Sequence, residues 1–268
     1  MKKYSVIILL INILIYFGCD TQEPTQPEIN YDEYGFDTET SKSLYICVYF
    51  DYGVFDACKT NMINMLNQMH CAYTTITKDS ILNGALNHYR LLIMPGGDMW
   101  KYNSYLASNG MSSIKNFVSQ GGGYIGICGG SYFAASLIVW RGWAGQPRDS
   151  ISIAGLNLFA SIADGPIEDF EPGYIDNKCQ VQITKKNHPV ISNLPEVIQP
   201  YYDHGPMFLF NDSTGVLTLG KTIKGNKNIL VAFQYKSGKV FLTGVHPEAS
   251  EARVPWIMMK NAIEWCAK

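Results

Sequence analysis

Gly126-Ile127-Cys128-Gly129-Gly130 sets one cysteine between glycines directly after an apolar, strand-like run, Tyr124–Ile127. A thiol so placed has a specific chemical use. Glycines on both sides permit the sharp, strained strand-to-helix elbow on which a nucleophile projects, because larger side chains would collide with neighbouring backbone. If a helix follows, its dipole and free amides favour thiolate over thiol, and the Gly129 amide faces a developing oxyanion. Pro95-Gly96-Gly97 ends a second apolar run, Arg90–Met94, and can bring the Gly97 amide to the same point. A cysteine nucleophile also needs a base. Gly244-Val245-His246-Pro247-Glu248 follows the strand-like run Lys239–Thr243, so His246 stands at a strand's carboxyl end, with Glu248 two residues on and Pro247 stiffening the turn. That spacing lets the carboxylate accept the far N–H of the imidazole, fixing its tautomer and orientation. The expected set is Cys128 as nucleophile, His246 as base, Glu248 as orienting acid, and the Gly97 and Gly129 amides as oxyanion hole. Each piece alone has a plainer reading: a buried structural thiol, a surface histidine in a turn, a tight glycine turn.

PGG, then GICGG, then HPE, in that order, resembles the class I glutamine amidotransferase-like superfamily. Within it, GICGGSYFAAS with YYDHGPMF and GVHPEAS is most similar to the biotin-protein-ligase N-terminal domain, over roughly Leu44 to Ala267. The resemblance implies a flavodoxin-like fold, a parallel sheet with helices on both faces, and a Cys-His-Glu triad falling on Cys128, His246 and Glu248. It also implies that Tyr201–Pro206 is a substrate-side loop, with Tyr202 and Asp203 as binding residues; the plain alternative is a surface loop with stacked tyrosines. Ser131 and Trp100 are further pocket candidates by position. Glutaminases of the superfamily usually carry His-Gln shortly after the elbow, where this chain has Gly130-Ser131-Tyr132, which argues against glutamine as substrate. No ligase catalytic segment follows within these residues, so biotin transfer is not expected.

The elements that must position these groups alternate. Ser43–Phe50, Ala72–Thr77, Arg90–Met94 and Tyr124–Ile127 read as strands; Val54–His70, a short helix around Ile81–Leu86 capped by Asp79, and Ser112–Gln120 read as helices. Short strand-helix alternation with fully apolar strands argues for a parallel sheet covered on both faces, with the site at the carboxyl ends of its strands. From Arg141 to Pro200 the pattern loosens into short candidate strands. Three further β runs follow, Gly215–Lys221, Asn228–Tyr235 and Lys239–Thr243, and then an amphipathic helix, Arg253–Ala267.

Residues 1–18 read as an address. Lys2 and Lys3 precede an apolar run from Val6 to Phe17, too short for a bilayer core of roughly 30 Å, and Tyr16-Phe17-Gly18-Cys19 resembles a bacterial lipobox with Cys19 as the lipidated residue. A plain secretory signal with an incidental cysteine is the alternative. Residues 19–42 are polar and acidic, as in a tether, which puts the globular domain at 43–268 and the protein in the cell envelope, anchored through lipid outside the cytoplasm. A net charge of -2 over 268 residues leaves no electrostatic footprint for nucleic acid. With Cys128 a working thiol, Cys47, Cys58, Cys71, Cys179 and Cys266 cannot all pair, and no bridge is assigned. His70, Cys71 and His88 lack ligand spacing, so no metal is expected, and the chemistry requires no cofactor. Three functions remain in view: a hydrolase acting on an amide or related acyl group of a small molecule, peptide or glycan; a dienelactone-hydrolase-like enzyme, disfavoured because Glu248 follows His246 so closely; and a non-catalytic surface binding module on the same fold.

Overall fold

The computed structural model describes residues 34–142, 151–167, 178–211, 214–250 and 253–268. Cys19, the signal segment and most of the expected tether lie outside them. In chain order the elements begin with α1 (Thr38–Ser43), β1 (Ile46–Tyr49), α2 (Asp56–Gln68), β2 (Tyr73–Ile76), α3 (Lys78–Leu82), β3 (Leu91–Met94), α4 (Met99–Ser119), β4 (Gly123–Ile127) and α5 (Gly129–Ala134). They continue with β5 (Ala135–Trp140), β6 (Ile151–Ala154), β7 (Phe159–Gly165), β8 (Val181–Ile183), β9 (Val197–Ile198), β10 (Met207–Leu209), β11 (Leu217–Thr222), β12 (Asn228–Tyr235), β13 (Gly238–Thr243) and α6 (Val254–Cys266).

One sheet runs β2-β1-β3-β4-β13-β12-β11-β8-β9. Its first five strands are parallel, in the 2-1-3-4-5 order of a doubly wound α/β fold; the remaining four add antiparallel pairs. The parallel strands are apolar at nearly every position because both their faces are covered. Alternation then divides their side chains between two cores. Ile46, Val48, Leu91, Ile93, Ile125 and Phe241 pack with Met62 and Leu66 of α2 and with Met258 and Ala262 of α6. Their neighbours Cys47, Tyr49, Leu92, Met94, Tyr124 and Leu242 pack with Tyr102, Leu106 and Ile114 of α4 and with Phe133 of α5. The fold is therefore the expected α/β layer structure.

Two local expectations are corrected. Packing begins before Ser43: Tyr34 and Phe36 are only 8% and 6% exposed, Tyr34 meets Trp256 of α6 edge-on at 5.6 Å, and the Phe36 amide donates to Met69 O at 2.8 Å. Aromatic residues in an otherwise acidic stretch gave no periodic signal, so the last part of the supposed tether belongs to the domain. Helix α3 is capped by Thr77, whose Oγ1 accepts from Ser80 N at 3.3 Å, rather than by Asp79. The helix after the elbow stops at Ala134, and the next apolar residues become β5 of a second sheet, β10-β7-β5-β6. That sheet lies over the second core through Phe159, whose ring meets Phe233 of β12 at 5.8 Å. An apolar run alone does not distinguish helix from buried strand.

Candidate active site

Strands β3, β4 and β13 are adjacent, with Met94 opposite Gly126 and Thr243 opposite Ile127, so their carboxyl ends finish level. The loops leaving those three ends carry Gly97, Cys128 and His246. Cys128 occupies φ 47°, ψ -104°, a region that L side chains rarely adopt and that costs about 1–3 kcal/mol. The surroundings hold it there. Its amide donates to Thr243 O at 2.9 Å, its carbonyl accepts from Ser131 N and Tyr132 N at 2.9 Å each, and Gly130 N donates to Pro95 O at 3.1 Å. A Cβ at Gly129 would run into the Gly97 amide and carbonyl, so only glycine lets the two loops touch. The Gly97 and Gly129 amides donate to no carbonyl among the described residues.

His246 enters from the turn after β13. Its backbone N–H donates to Tyr201 O at 2.7 Å, and Pro247 starts the short 3-10 turn that carries Glu248. The ring and the carboxylate are both buried, at 4% and 3% exposed. Nδ1 donates to Glu248 Oε1 at 2.8 Å, and Nε2 donates to the Asp203 carbonyl oxygen at 3.2 Å. Both ring nitrogens thus face acceptors, a pattern that imidazolium satisfies. Burial alone would push the imidazole pKa down; the Glu248 carboxylate, with the Cys128 and Cys58 thiols beside it, outweighs this and holds it well above its ordinary value. The Cys128 thiol, itself buried, donates to the same Asp203 carbonyl at 3.5 Å. Thiol and imidazole therefore meet through one backbone oxygen.

The pocket that they share is lined by Cys58, Cys128, His246 and Gly97, by the aromatic Phe55, Trp100, Tyr132 and Trp140, and by Asp98, Met99, Asp203 and His204. Of the expected binding residues, Asp203 lines it: its side chain pairs with His204 Nδ1, and that bond, against the opposing effect of burial, lowers its carboxyl pKa. Trp100 also lines it. Ser131 and Tyr202 do not, and both expectations are corrected. Ser131 is fully buried; its Oγ accepts from Thr243 N at 3.0 Å and faces the Gly126 and Thr243 carbonyls at 2.7 and 2.9 Å, tying β4, α5 and β13 together. Tyr202 is buried too, its hydroxyl donating to Gly205 O at 2.8 Å and accepting from Ile167 N at 2.7 Å. Both residues hold the frame on which the site is built. His188 caps a turn, its Nδ1 accepting from Val190 N at 3.3 Å, away from the pocket lining.

Sequence reading missed Cys58, Phe55, Tyr132 and Trp140, which reach the pocket from α2 and its N-cap, α5 and β5, while His204 reaches it from the Tyr201–Pro206 loop expected on the substrate side. Burial raises the Cys58 thiol pKa, partly offset by the His246 imidazole against which it lies. The described cysteines are all free thiols. Those outside the pocket are masked by burial, which pushes Cys71 and Cys179 up to about 12 and raises Cys47 and Cys266 as well.

Comparison with known proteins agrees with this architecture. The chain is 27% identical to the biotin–protein ligase of Schizosaccharomyces pombe over 173 residues, 62% of this chain but only 26% of that protein, so it spans about a quarter of the relative it matches. Among solved structures it resembles a glutamine amidotransferase from Thermotoga maritima, with TM-score 0.53 at 13% identity, covering 83% of this chain and 97% of the other. It also resembles a ThuA-like protein from Bacteroides uniformis, with TM-score 0.55 at 14% identity, covering 82% of this chain and 90% of the other. At such identities the likeness is one of fold. Residues 44–264 match the family described as biotin-protein ligase, N terminal, and the chain belongs to that family.

Proposed function

We propose that the protein is a cysteine hydrolase of an amide or related acyl substrate, with Cys128 as nucleophile, His246 as acid and base, and Glu248 as the residue that orients and charges the imidazole. One observation carries the reading: a buried thiol held at positive φ on an elbow, sharing a single carbonyl contact with an imidazole that is backed by a carboxylate at 2.8 Å. Substrate binding displaces the Asp203 carbonyl from Sγ and Nε2, and the Cys128 thiol gives up its proton to solvent, leaving thiolate beside imidazolium. The sulfur attacks the substrate carbonyl carbon, and the π electrons move onto oxygen, which the Gly97 and Gly129 amides receive. The carbon–nitrogen bond then breaks as Nε2 gives its proton to the leaving nitrogen, and a thioester remains. Water, deprotonated by the now neutral His246, attacks that thioester and restores the thiolate–imidazolium pair. Glutamine is a poor candidate, because buried Ser131 and Tyr132 stand where glutaminases usually carry His-Gln.

The same reading places the domain on a lipid attached at Cys19, outside the cytoplasm; a Cys19→Ser variant should leave the membrane fraction. Turnover of an amide and thioester panel tests the chemistry. Wild type should release product and accumulate a mass-detectable Cys128 acyl adduct, and Cys128→Ala should do neither. A second reading, a binding module on this fold, is favoured by the Asp203 carbonyl that engages both Sγ and Nε2. Ligand retention without turnover, equal in wild type and Cys128→Ala, would select it.

A further inference from the structure

Cys58 approaches His246 on the edge facing the Gly96 backbone. It lies in the first turn of α2 and is buried. A Cβ built on Gly96 would stand 2.6 Å from Cys58 Sγ, 2.7 Å from His246 Cε1 and 3.4 Å from His246 Nδ1, so sulfur and imidazole close on the same small space. Ligand atoms of Cys58, His246 and Glu248 all lie within 4.8 Å of one another, and all three residues are buried. The second carboxylate oxygen of Glu248, Oε2, is buried with no hydrogen-bond partner among the described residues. Hydrolysis as described above uses Nε2 of the imidazole and Oε1 of the carboxylate, and leaves Cys58 and Oε2 without a role.

We propose that Cys58 Sγ, His246 Nδ1 and the Glu248 carboxylate form a binding site for a divalent metal ion of the zinc class, which switches the triad off when it is filled. Thiolate, imidazole and carboxylate together are the mixed S/N/O donor set that suits zinc and disfavours magnesium or calcium, which prefer all-oxygen shells. Charge supports the assignment. One thiolate, one carboxylate and a divalent ion sum to zero, so an ion here resolves the buried, unpartnered Oε2 without leaving net charge in the core. Binding releases two protons, one from the Cys58 thiol and one from Nδ1, whose bond to Glu248 the ion replaces. A fourth ligand position is left for water, which the pocket lined by both Cys58 and His246 can supply. With the ion on Nδ1, the imidazole loses the carboxylate that orients and charges it, and Cys128 loses its base. Only this regulatory consequence rests on the hydrolase reading; the metal site stands or falls independently of it.

Cobalt(II) titration of the reduced, chelator-treated full-length chain tests the site without requiring turnover. One equivalent should give a near-ultraviolet thiolate-to-cobalt charge-transfer band with tetrahedral visible bands, bleached by one equivalent of zinc. Cys58→Ser should abolish the charge-transfer band and weaken binding on the order of tenfold or more, Glu248→Gln should weaken it comparably, and Cys128→Ser should still take up one equivalent. Circular dichroism checks that each variant is folded, and if Cys58→Ser does not fold, Glu248→Gln carries the comparison. Absence of a charge-transfer band in wild type at millimolar cobalt would overturn the proposal. So would a band that survives in Cys58→Ser, or unweakened binding in folded Glu248→Gln. Failure to find any substrate would leave the cobalt result untouched, so the two proposals fail separately.

Discussion

Cys128, His246 and Glu248 are side chains whose chemical use depends on neighbours that sequence names only in part. Two of those neighbours invert the expected roles. Ser131 and Tyr202 read as substrate contacts because they sit beside the elbow and within an aromatic loop, yet their hydroxyls are engaged by backbone groups inside the frame. Ser131→Ala and Tyr202→Phe should each cost about 1–3 kcal/mol in urea unfolding, since each removes a buried hydroxyl bonded to backbone groups; a stability unchanged in both would show that those bonds contribute nothing. His188 supplies the pH dependence. Partial burial lowers its pKa below the ordinary 6.5, so the neutral ring favours the fold: its contribution is present above 6.5 and is lost as pH falls through the lowered folded value. Comparing unfolding midpoints of wild type and His188→Asn between pH 7.5 and 5 should show wild type losing more on acidification, because asparagine keeps a capping acceptor without a proton to bind. The residue-level reading singled out Cys128, His246 and Glu248, which the fold brings together, because each motif is contiguous. It missed Cys58, whose partner His246 lies in the opposite half of the chain and which no local spacing could connect to it.

At the scale of elements, the parallel strands were the most legible feature. β1, β3, β4 and β13 are short, apolar and bounded by glycine or polar turns, and burial on both faces leaves no other use for such runs. Less legible was whatever depended on tertiary context. The apolar residues after the elbow split into α5 and β5 because β7 pairs with Ala135–Trp140, a partner that no local pattern announces. Helix α4 begins at Met99, well before the expected Ser112, and its backbone leaves helical geometry at Ala107, at φ 51°. The domain boundary is the most testable of these corrections. A chain beginning at Tyr34 should keep the stability of the whole domain, whereas one beginning at Ser43 loses two buried aromatic side chains and α1. At about 1.5–3 kcal/mol for each such side chain, the shorter chain should be less stable by roughly 3–6 kcal/mol in chemical denaturation. Equal stabilities would return residues 34–42 to the tether.

For the molecule as a whole, the sheet does the positioning: three adjacent strands end level, a glycine contact joins the loops after two of them, and the loop after the third carries the imidazole and its carboxylate. The cysteines outside the pocket are silenced by burial. A primed thiol among masked ones is the account's central claim, and peptide-resolved alkylation measures it most directly. Full-length protein, reduced and kept in chelator at pH 7, is treated with iodoacetamide, and the labelling rate of each cysteine is compared in wild type and His246→Asn. The account predicts that Cys128 labels at least on the order of tenfold faster than Cys47, Cys71, Cys179 and Cys266, and that His246→Asn slows Cys128 by a similar factor while leaving the others unchanged. A Cys128 no faster than the buried thiols, or one indifferent to His246→Asn in a folded protein, would contradict it.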